Sequence, residues 1–194
     1  MAFFRTLAAA ELVPTVAGEG VTLRTPQMAD YQAWADLRSA SRSFLRPWEP
    51  IWPADDLTRL AYRRRLKRYV REIEQDQAYP FFVFDAEGQL VGGVTLSQVR
   101  RGVAQTCSVG YWMGERHAGR GLMTKAVRAL APFVFTQLKL RRIEAACLPF
   151  NAASIRLLEK TGFQKEGYAR EYLCIDGVWQ DHLLYALLRS DAVG

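Results

Sequence analysis

Between Gly114 and Leu130 the chain reads GERHAGRGLMTKAVRAL, with glycines at 114, 119 and 121 ahead of an uninterrupted helical pattern. The preceding SVGYWM has the look of a strand. Glycines at a strand-to-helix turn let backbone N–H groups approach a ligand that a Cβ would obstruct. The helix start adds unpaired donors and the positive end of its dipole. The chemistry that suits such a turn is the holding of a phosphate or pyrophosphate. A P-loop requires Lys and then Ser or Thr after its last glycine, whereas Gly119 is followed by Arg120 and Gly121. A Rossmann turn asks for a small residue where Thr124 stands, a repeating parallel βαβ context and an acidic ribose partner, and it fits poorly. A helix that merely starts at glycines stays open on these residues alone.

The elements around the turn decide how it is held. VTLRT, from Val21 to Thr25, alternates as a strand; Thr25 and Pro26 then read as an N-cap and first helical residue opening QMADYQAWADLRSAS. Pro47, Pro50 and Pro53 forbid a regular helix over FLRPWEPIWP, although Phe44, Leu45, Trp48, Ile51 and Trp52 are bulky and apolar. YPFFVFD-AEG-QLVGGVTLSQV predicts a hairpin and AQTCSVGYWM the next strand. A helix is predicted from about Gly119 to Leu138. RRIEAACL is a further strand and NAASIRLLEKTG a short helix stopped by Gly162. The final FQKEGYAREYLCIDGVWQDHLLYALL is two strands around Asp176-Gly177. The pattern implies a mixed α/β (α+β) chain with mostly antiparallel neighbours.

Composition sets the bounds. With 194 residues, no repeats and no linker-like shift, residues 1–194 are read as one domain. No apolar run approaches the ~20 residues of a membrane span. MAFFRTLAAAELV lacks a separate basic start and a long apolar core, so a signal peptide is not expected. Cys107, Cys147 and Cys174 show no metal-like spacing, which implies reduced core cysteines, no metal and a cytoplasmic location. Much of the net charge of +6 lies in RLAYRRRLKRYVRE, Arg59 to Glu72. Leu60, Leu66, Tyr69, Val70 and Ile73 give that segment an apolar stripe. Its arginines form either a solvated face or an RNA- or ribosome-facing patch.

Arg116-His117-Ala118-Gly119-Arg120-Gly121 matches the pattern Q/R-x-x-G-x-G/A of the GNAT N-acetyltransferases. RRIEAACLPFNAASIRLLEKTGF is similar to that superfamily's next strand and helix, including Asn151 and Gly162-Phe163. FLRPWEP, with Arg42 just before it, and KEGYAREYLCIDGVWQDHLLYAL resemble the RimJ-type branch, which acetylates the N-terminal alanine of a small-subunit ribosomal protein. The resemblance covers most of the chain from Phe44 onward. It implies a GNAT domain with a single mixed, mostly antiparallel central sheet of about seven strands flanked by helices, acetyl-CoA as cosubstrate and a protein N-terminus, of a ribosomal protein, as acceptor. Monomer and dimer are both compatible with it.

Acetyl transfer asks for a neutral amine, a donor to the thioester oxygen and a proton for the departing thiolate. On the resemblance, carbonyl donors come from the backbone near Trp112 and Met113. The pyrophosphate rests on the N–H groups of Gly119, Arg120, Gly121, Leu122 and Met123, with the Arg116 and Arg120 side chains supplying charge. Asn151 either bonds the pantetheine amides or caps its helix. The tyrosine that many GNAT enzymes place seven residues after this asparagine is Leu158 here, so its role does not carry over. Ser154 is the nearest hydroxyl and is the candidate acid, or else a polar first-turn residue. Glu49 is favoured as base or as holder of the incoming ammonium, ahead of Glu144 and Glu171. An α-amino group with a pKa of ~7.7–8 makes a dedicated base less necessary. His117 is expected on the phosphate side and His182 in the hairpin. Trp48, Trp52 and Tyr111 are either core or acceptor-pocket wall. Two other readings compete: a small-molecule N-acetyltransferase acting on an aminoglycoside, polyamine or peptide antibiotic, and a non-catalytic ribosome- or RNA-associated factor that keeps coenzyme A.

Overall fold

The computed structural model describes residue 13 and residues 15–191. The segment weighed as a signal peptide lies, apart from Val13, outside the described residues. Eight strands form one sheet in the order β1-β2-β3-β4-β5-β6-β8-β7. They are β1 Val16–Gly18, β2 Val21–Arg24, β3 Tyr79–Asp85, β4 Leu90–Arg100, β5 Thr106–Met113, β6 Arg142–Cys147, β7 Gln164–Ile175 and β8 Val178–Leu188. Every neighbouring pair is antiparallel except β5 and β6. The strand beyond the expected seven is β1. Its three residues are too short to show an alternation, and it exists because Gly20, at φ 67°, turns the chain back onto β2.

Five α-helices accompany the sheet among the described residues: α1 Tyr31–Ala40, α2 Arg42–Leu45, α3 Arg59–Glu74, α4 Leu122–Pro132 and α5 Ala152–Lys160. On α4, Met123, Ala126, Val127, Leu130 and Ala131 are buried, the i, i+3, i+4, i+7, i+8 stripe of a helix laid on a sheet. Pro132 has no N–H to give the ladder, and the helix continues only as a π-type turn over Phe133–Gln137. The helix expected to run to Leu138 is thus shorter.

Two other local expectations change. Thr25 is fully buried with its hydroxyl unpartnered, and Pro26 and Gln27 stay outside the helix. The capping role falls to Asp30, which accepts from the Gln27 N–H at 2.7 Å and is gripped by Arg24. In α3 it is Tyr62, not Leu60, that is buried with Ile73; Leu60 is 63% exposed. Several of its arginines have local partners: Arg64 with Asp55, Arg65 with Asp56, Arg68 with Glu72, and Arg59 over the Tyr31 ring. Arg63, Lys67 and Arg71 are exposed one helical turn apart.

The parallel pair creates the opening for a site. β5 and β6 are in register only from Thr106↔Arg142 to Ser108↔Glu144. Beyond that point β5 pairs only with β4 and β6 only with β8, so the two strands part. The starts of α4 and α5 flank this gap.

Candidate active site

The three glycines of the turn serve different purposes. A Cβ on Gly114 would fall 2.3 Å from Leu37 Cδ1, so Gly114 is needed for packing against α1. Gly119 and Gly121 both take φ 76°, a left-handed conformation that side chains disfavour, and a Cβ on either would meet no protein atom within 4 Å. The space beside them is open for a ligand. Gly121 caps α4, and its carbonyl accepts from Lys125 N at 3.1 Å. The N–H groups of Leu122, Met123 and Thr124 thus belong to the first turn, which has no intrahelical acceptors. Two backbone anchors hold the turn still: Gly114 N donates to Val91 O at 2.9 Å and Glu115 N to Ser41 Oγ at 2.9 Å. Arg116 and Arg120 are exposed at the rim. Arg116 Nε donates to Nε2 of the buried His117 at 2.9 Å. Burial, then the charges of Arg116 and Arg120, push the His117 pKa below its usual value, which keeps the ring neutral.

At the end of β5 the backbone faces the gap. Gly114 N points at β4, so by the period-2 alternation of a strand Trp112 does as well. Tyr111 and Met113 therefore present their N–H and C=O groups to the side where β6 has departed. The expected donor pair of Trp112 and Met113 narrows to Met113, with Tyr111 added; the Trp112 contribution is its side chain. Asn151 caps α5, its Oδ1 accepting from Ser154 N at 3.0 Å, and it also lines the cleft of the site. That bond fixes the first turn of α5 and aims Ser154 at β5. The Ser154 hydroxyl meets the Tyr111 hydroxyl at 2.6 Å, across 43 residues of sequence. Burial raises the Tyr111 pKa, against a smaller opposing effect of the Ser154 hydrogen bond, so the phenol stays protonated.

A cleft of about 420 Å³ joins these parts. Its lining brings together Gly119, Gly121, Leu122 and Met123 of the turn, Tyr111, Trp112 and Met113 of β5, Asn151 and Ser154 at the start of α5, and Phe44, Leu45, Trp48 and Glu49 of the proline-broken segment. Arg156 and Lys160 of α5 also line it; charged residues late in a helix carry no sequence signal of this kind. Trp48 packs on Phe150 with ring centroids 5.9 Å apart. Glu49 reaches the cleft but is heavily engaged. Arg38 Nη1 and Nη2 donate to its two oxygens at 2.7 Å each, and Trp52 Nε1 donates at 2.7 Å. The Arg38 guanidinium is sandwiched within reach of the Trp52 and Trp112 rings, at 4.0 and 4.9 Å from their centroids. Trp52 is thereby a supporting residue behind Glu49, outside the main cleft.

The Arg38 and Glu49 side chains are only 9% and 19% exposed, so this is a largely buried pair. Removing one partner of such a pair costs about 3–5 kcal/mol because the other charge is left unsolvated. Arg38→Ala is expected to lower stability by roughly that amount, read from urea unfolding. A loss under about 1 kcal/mol would instead mark the pair as screened by solvent.

The remaining candidates lie elsewhere. Glu144 is paired with Arg100 and Arg142 where β5 and β6 are still in register, outside the cleft. Glu171 is exposed at an irregularity of β7 with φ 45°. His182 is buried, its Nδ1 2.9 Å from Gln180 O and its ring against Tyr172. Leu158 is fully buried core. No group of three or more His, Cys, Asp or Glu residues fit to hold a metal occurs among the described residues. No described helix is long and apolar enough to cross a membrane.

Known proteins resemble this chain in sequence and in fold. The sequence pattern of the acetyltransferase (GNAT) domain matches residues 21–164. The chain is 39% identical over 175 residues to the Bacillus subtilis protein named "Probable N-acetyltransferase YjcK", covering 90% of this chain and 97% of that one. It is 38% identical over 165 residues to the Escherichia coli [ribosomal protein uS5]-alanine N-acetyltransferase, covering 84% and 85%. The structure of Mycobacterium smegmatis RimJ in complex with CoA-disulfide superposes with a TM-score of 0.86 at 31% identity, over 92% of this chain and 88% of that one. A left-handed glycine pair capping α4, a parallel strand pair that parts and a cleft between them thus go with membership: the chain belongs to the GNAT acetyltransferases, in the company of the RimJ-type enzymes.

Proposed function

We propose that the protein transfers the acetyl group of acetyl-CoA to the N-terminal α-amino group of a protein beginning with Ala or Ser, a small-subunit ribosomal protein being the acceptor. The observation that carries this reading is the cleft itself, which brings together the glycine turn, Ser154 and an aromatic wall at Trp48. The relatedness to the E. coli uS5-alanine enzyme supports the choice of acceptor.

Acetyl-CoA brings an activated thioester whose C–S bond breaks as the C–N bond forms. Its pyrophosphate fits the open side of Gly119 and Gly121, on the N–H groups of the first turn of α4, with Arg116 and Arg120 at the rim. The free backbone edge of Tyr111 and Met113 suits the pantetheine amides, and the Met113 N–H suits the carbonyl oxygen as charge builds on it. We take Tyr111, held neutral, as the donor to Ser154 Oγ, which leaves the Ser154 hydrogen for the departing sulfur; the proton that the nitrogen sheds as the amide forms returns through water to replace it. The amine loses its proton to water: with a pKa of ~7.7–8 about a tenth or more is already neutral at physiological pH. Glu49 is assigned the wall rather than the base. Two guanidinium hydrogen bonds and one from the Trp52 indole occupy the lone pairs a base would use.

In this reading Phe44 and Trp48, which line the cleft, bound the space beside the amine. Peptides beginning with Ala or Ser are expected to be acetylated far faster than those beginning with Leu, Phe or Lys, with kcat/KM rising as pH passes through ~7.7–8. Steady-state rates on such a peptide series test this; equal rates for Ala and Phe would remove the size argument. A contact with ribosomal RNA is a second reading, favoured by the exposed, turn-spaced Arg63, Lys67 and Arg71 of α3.

A further inference from the structure

Next to the acceptor end of the cleft lies a second hollow of about 230 Å³, lined by Arg42, Arg46, Pro50, Ile51, Trp52 and Asp176. It sits where the proline-broken segment meets the β7–β8 turn. The two are tied by Asp176 N donating to Glu49 O at 2.9 Å and by Arg46 Nε on the Asp176 carboxylate at 3.0 Å. The hollow and the cleft share a wall, since Trp52 lines the first, Glu49 the second, and the indole N–H donates to that carboxylate at 2.7 Å.

The charges in this corner do not balance. Arg38 has Glu49 and Arg46 has Asp176. Arg42, between them in sequence, makes no ion pair or side-chain hydrogen bond with any described residue. Its guanidinium is nonetheless held, with Cζ 5.4 Å from the Trp52 ring centroid. Two arginines facing one aspartate leave the hollow one positive charge in surplus, with a planar fork of donors on its wall.

We propose that this hollow is a subsite for an acidic side chain of the acceptor, placed a few residues after the amino group that is acetylated. The inference rests on the N-terminal reading above. With the cofactor at the glycine end, an acceptor chain must enter past Phe44, Trp48 and Glu49. The shared wall is one indole and one carboxylate across, on the order of 10 Å, which an extended chain spans in about three residues. An Asp or Glu at about the third to fifth residue therefore reaches Arg42, while the aspartate and the Arg38–Glu49 pair offer a lysine there no net attraction. Ile51, 67% exposed, and Pro50 supply apolar contact for the intervening backbone.

The test uses the full-length protein and N-terminal-Ala octapeptides carrying Glu at position three, four or five, each paired with its Gln counterpart. At one of these positions the Glu peptide is expected to show about fivefold higher kcat/KM at low salt, in line with a mostly exposed guanidinium–carboxylate pair, and less at high salt. Arg42→Ala, at an exposed position, is expected to erase the difference with the Gln peptides unaffected, and Arg42→Glu to favour Lys instead. Peptides acetylated without regard to charge, or a preference that survives Arg42→Ala, overturn the subsite alone. Failure of every N-terminal peptide to react overturns the N-terminal reading and the subsite with it.

Discussion

Gly121→Glu is expected to abolish acetyl-CoA binding while the protein stays folded. Gly121 stands at φ 76° as the cap of α4, and the space beyond its Cα is free of protein atoms to 4 Å. A Cβ there meets no protein atom within 4 Å. The folded-state cost of a glutamate is the left-handed backbone, about 1–2 kcal/mol. What it obstructs is the ligand, by placing a side chain and a negative charge against the first-turn N–H groups where a pyrophosphate belongs. Isothermal titration of acetyl-CoA into the variant should give no measurable heat of binding beside an unfolding midpoint lowered by only about 2–8 °C. Wild-type affinity in the folded variant would remove the turn from cofactor binding. Gly114→Glu provides the contrast, since a Cβ there already collides with Leu37 and the fold itself should suffer.

Ser154→Ala is expected to lower kcat by roughly 10²–10⁴-fold with acetyl-CoA affinity nearly intact, the signature of an interaction made mainly in the transition state. Tyr111→Phe keeps the ring and removes only the hydroxyl 2.6 Å from Ser154. If the phenol acts by turning the Ser154 hydrogen toward the cleft, its loss is worth one hydrogen bond, about fivefold in kcat. The double variant should then be no slower than Ser154→Ala. Multiplying losses would give the two hydroxyls separate tasks, and a Ser154→Ala enzyme within about twofold of wild type would take the serine out of the chemistry.

The parts of this site differ in how openly the sequence states them. The glycine turn was legible because its requirement is local: two glycines one residue apart ahead of an apolar helical stripe mark an open turn at a helix start. The Asp176-Gly177 turn was legible for the same reason, and both residues have positive φ, 46° and 82°. Asn151 looks the same in sequence as a cap or a ligand; its Oδ1 caps α5, and the residue also lines the cleft. Strand β1 escaped notice because three residues carry no period. Thr25 fits every rule for an N-cap, yet Arg24 fixes Asp30 and the start of the helix moves with it. The role of Glu49 hinged on Arg38, 11 residues away on α1, and no spacing rule links a helix to an irregular loop. Tyr111 and Ser154 meet only because β5 and β6 part and α5 docks over the gap, a tertiary event invisible to residue spacing.

The central claim is that acetyl-CoA is spent on a peptide α-amine. It is tested most directly by offering the enzyme, in one mixture, an Ala-initiated peptide with an internal lysine, an N-terminally blocked copy of that peptide, a polyamine and an aminoglycoside. Products are located by tandem mass spectrometry. The expected result is a single acetyl group on the alanine nitrogen, with the blocked peptide and the small amines essentially untouched. Faster acetylation of the polyamine or aminoglycoside, or equal labelling of the lysine side chain, would contradict the N-terminal assignment.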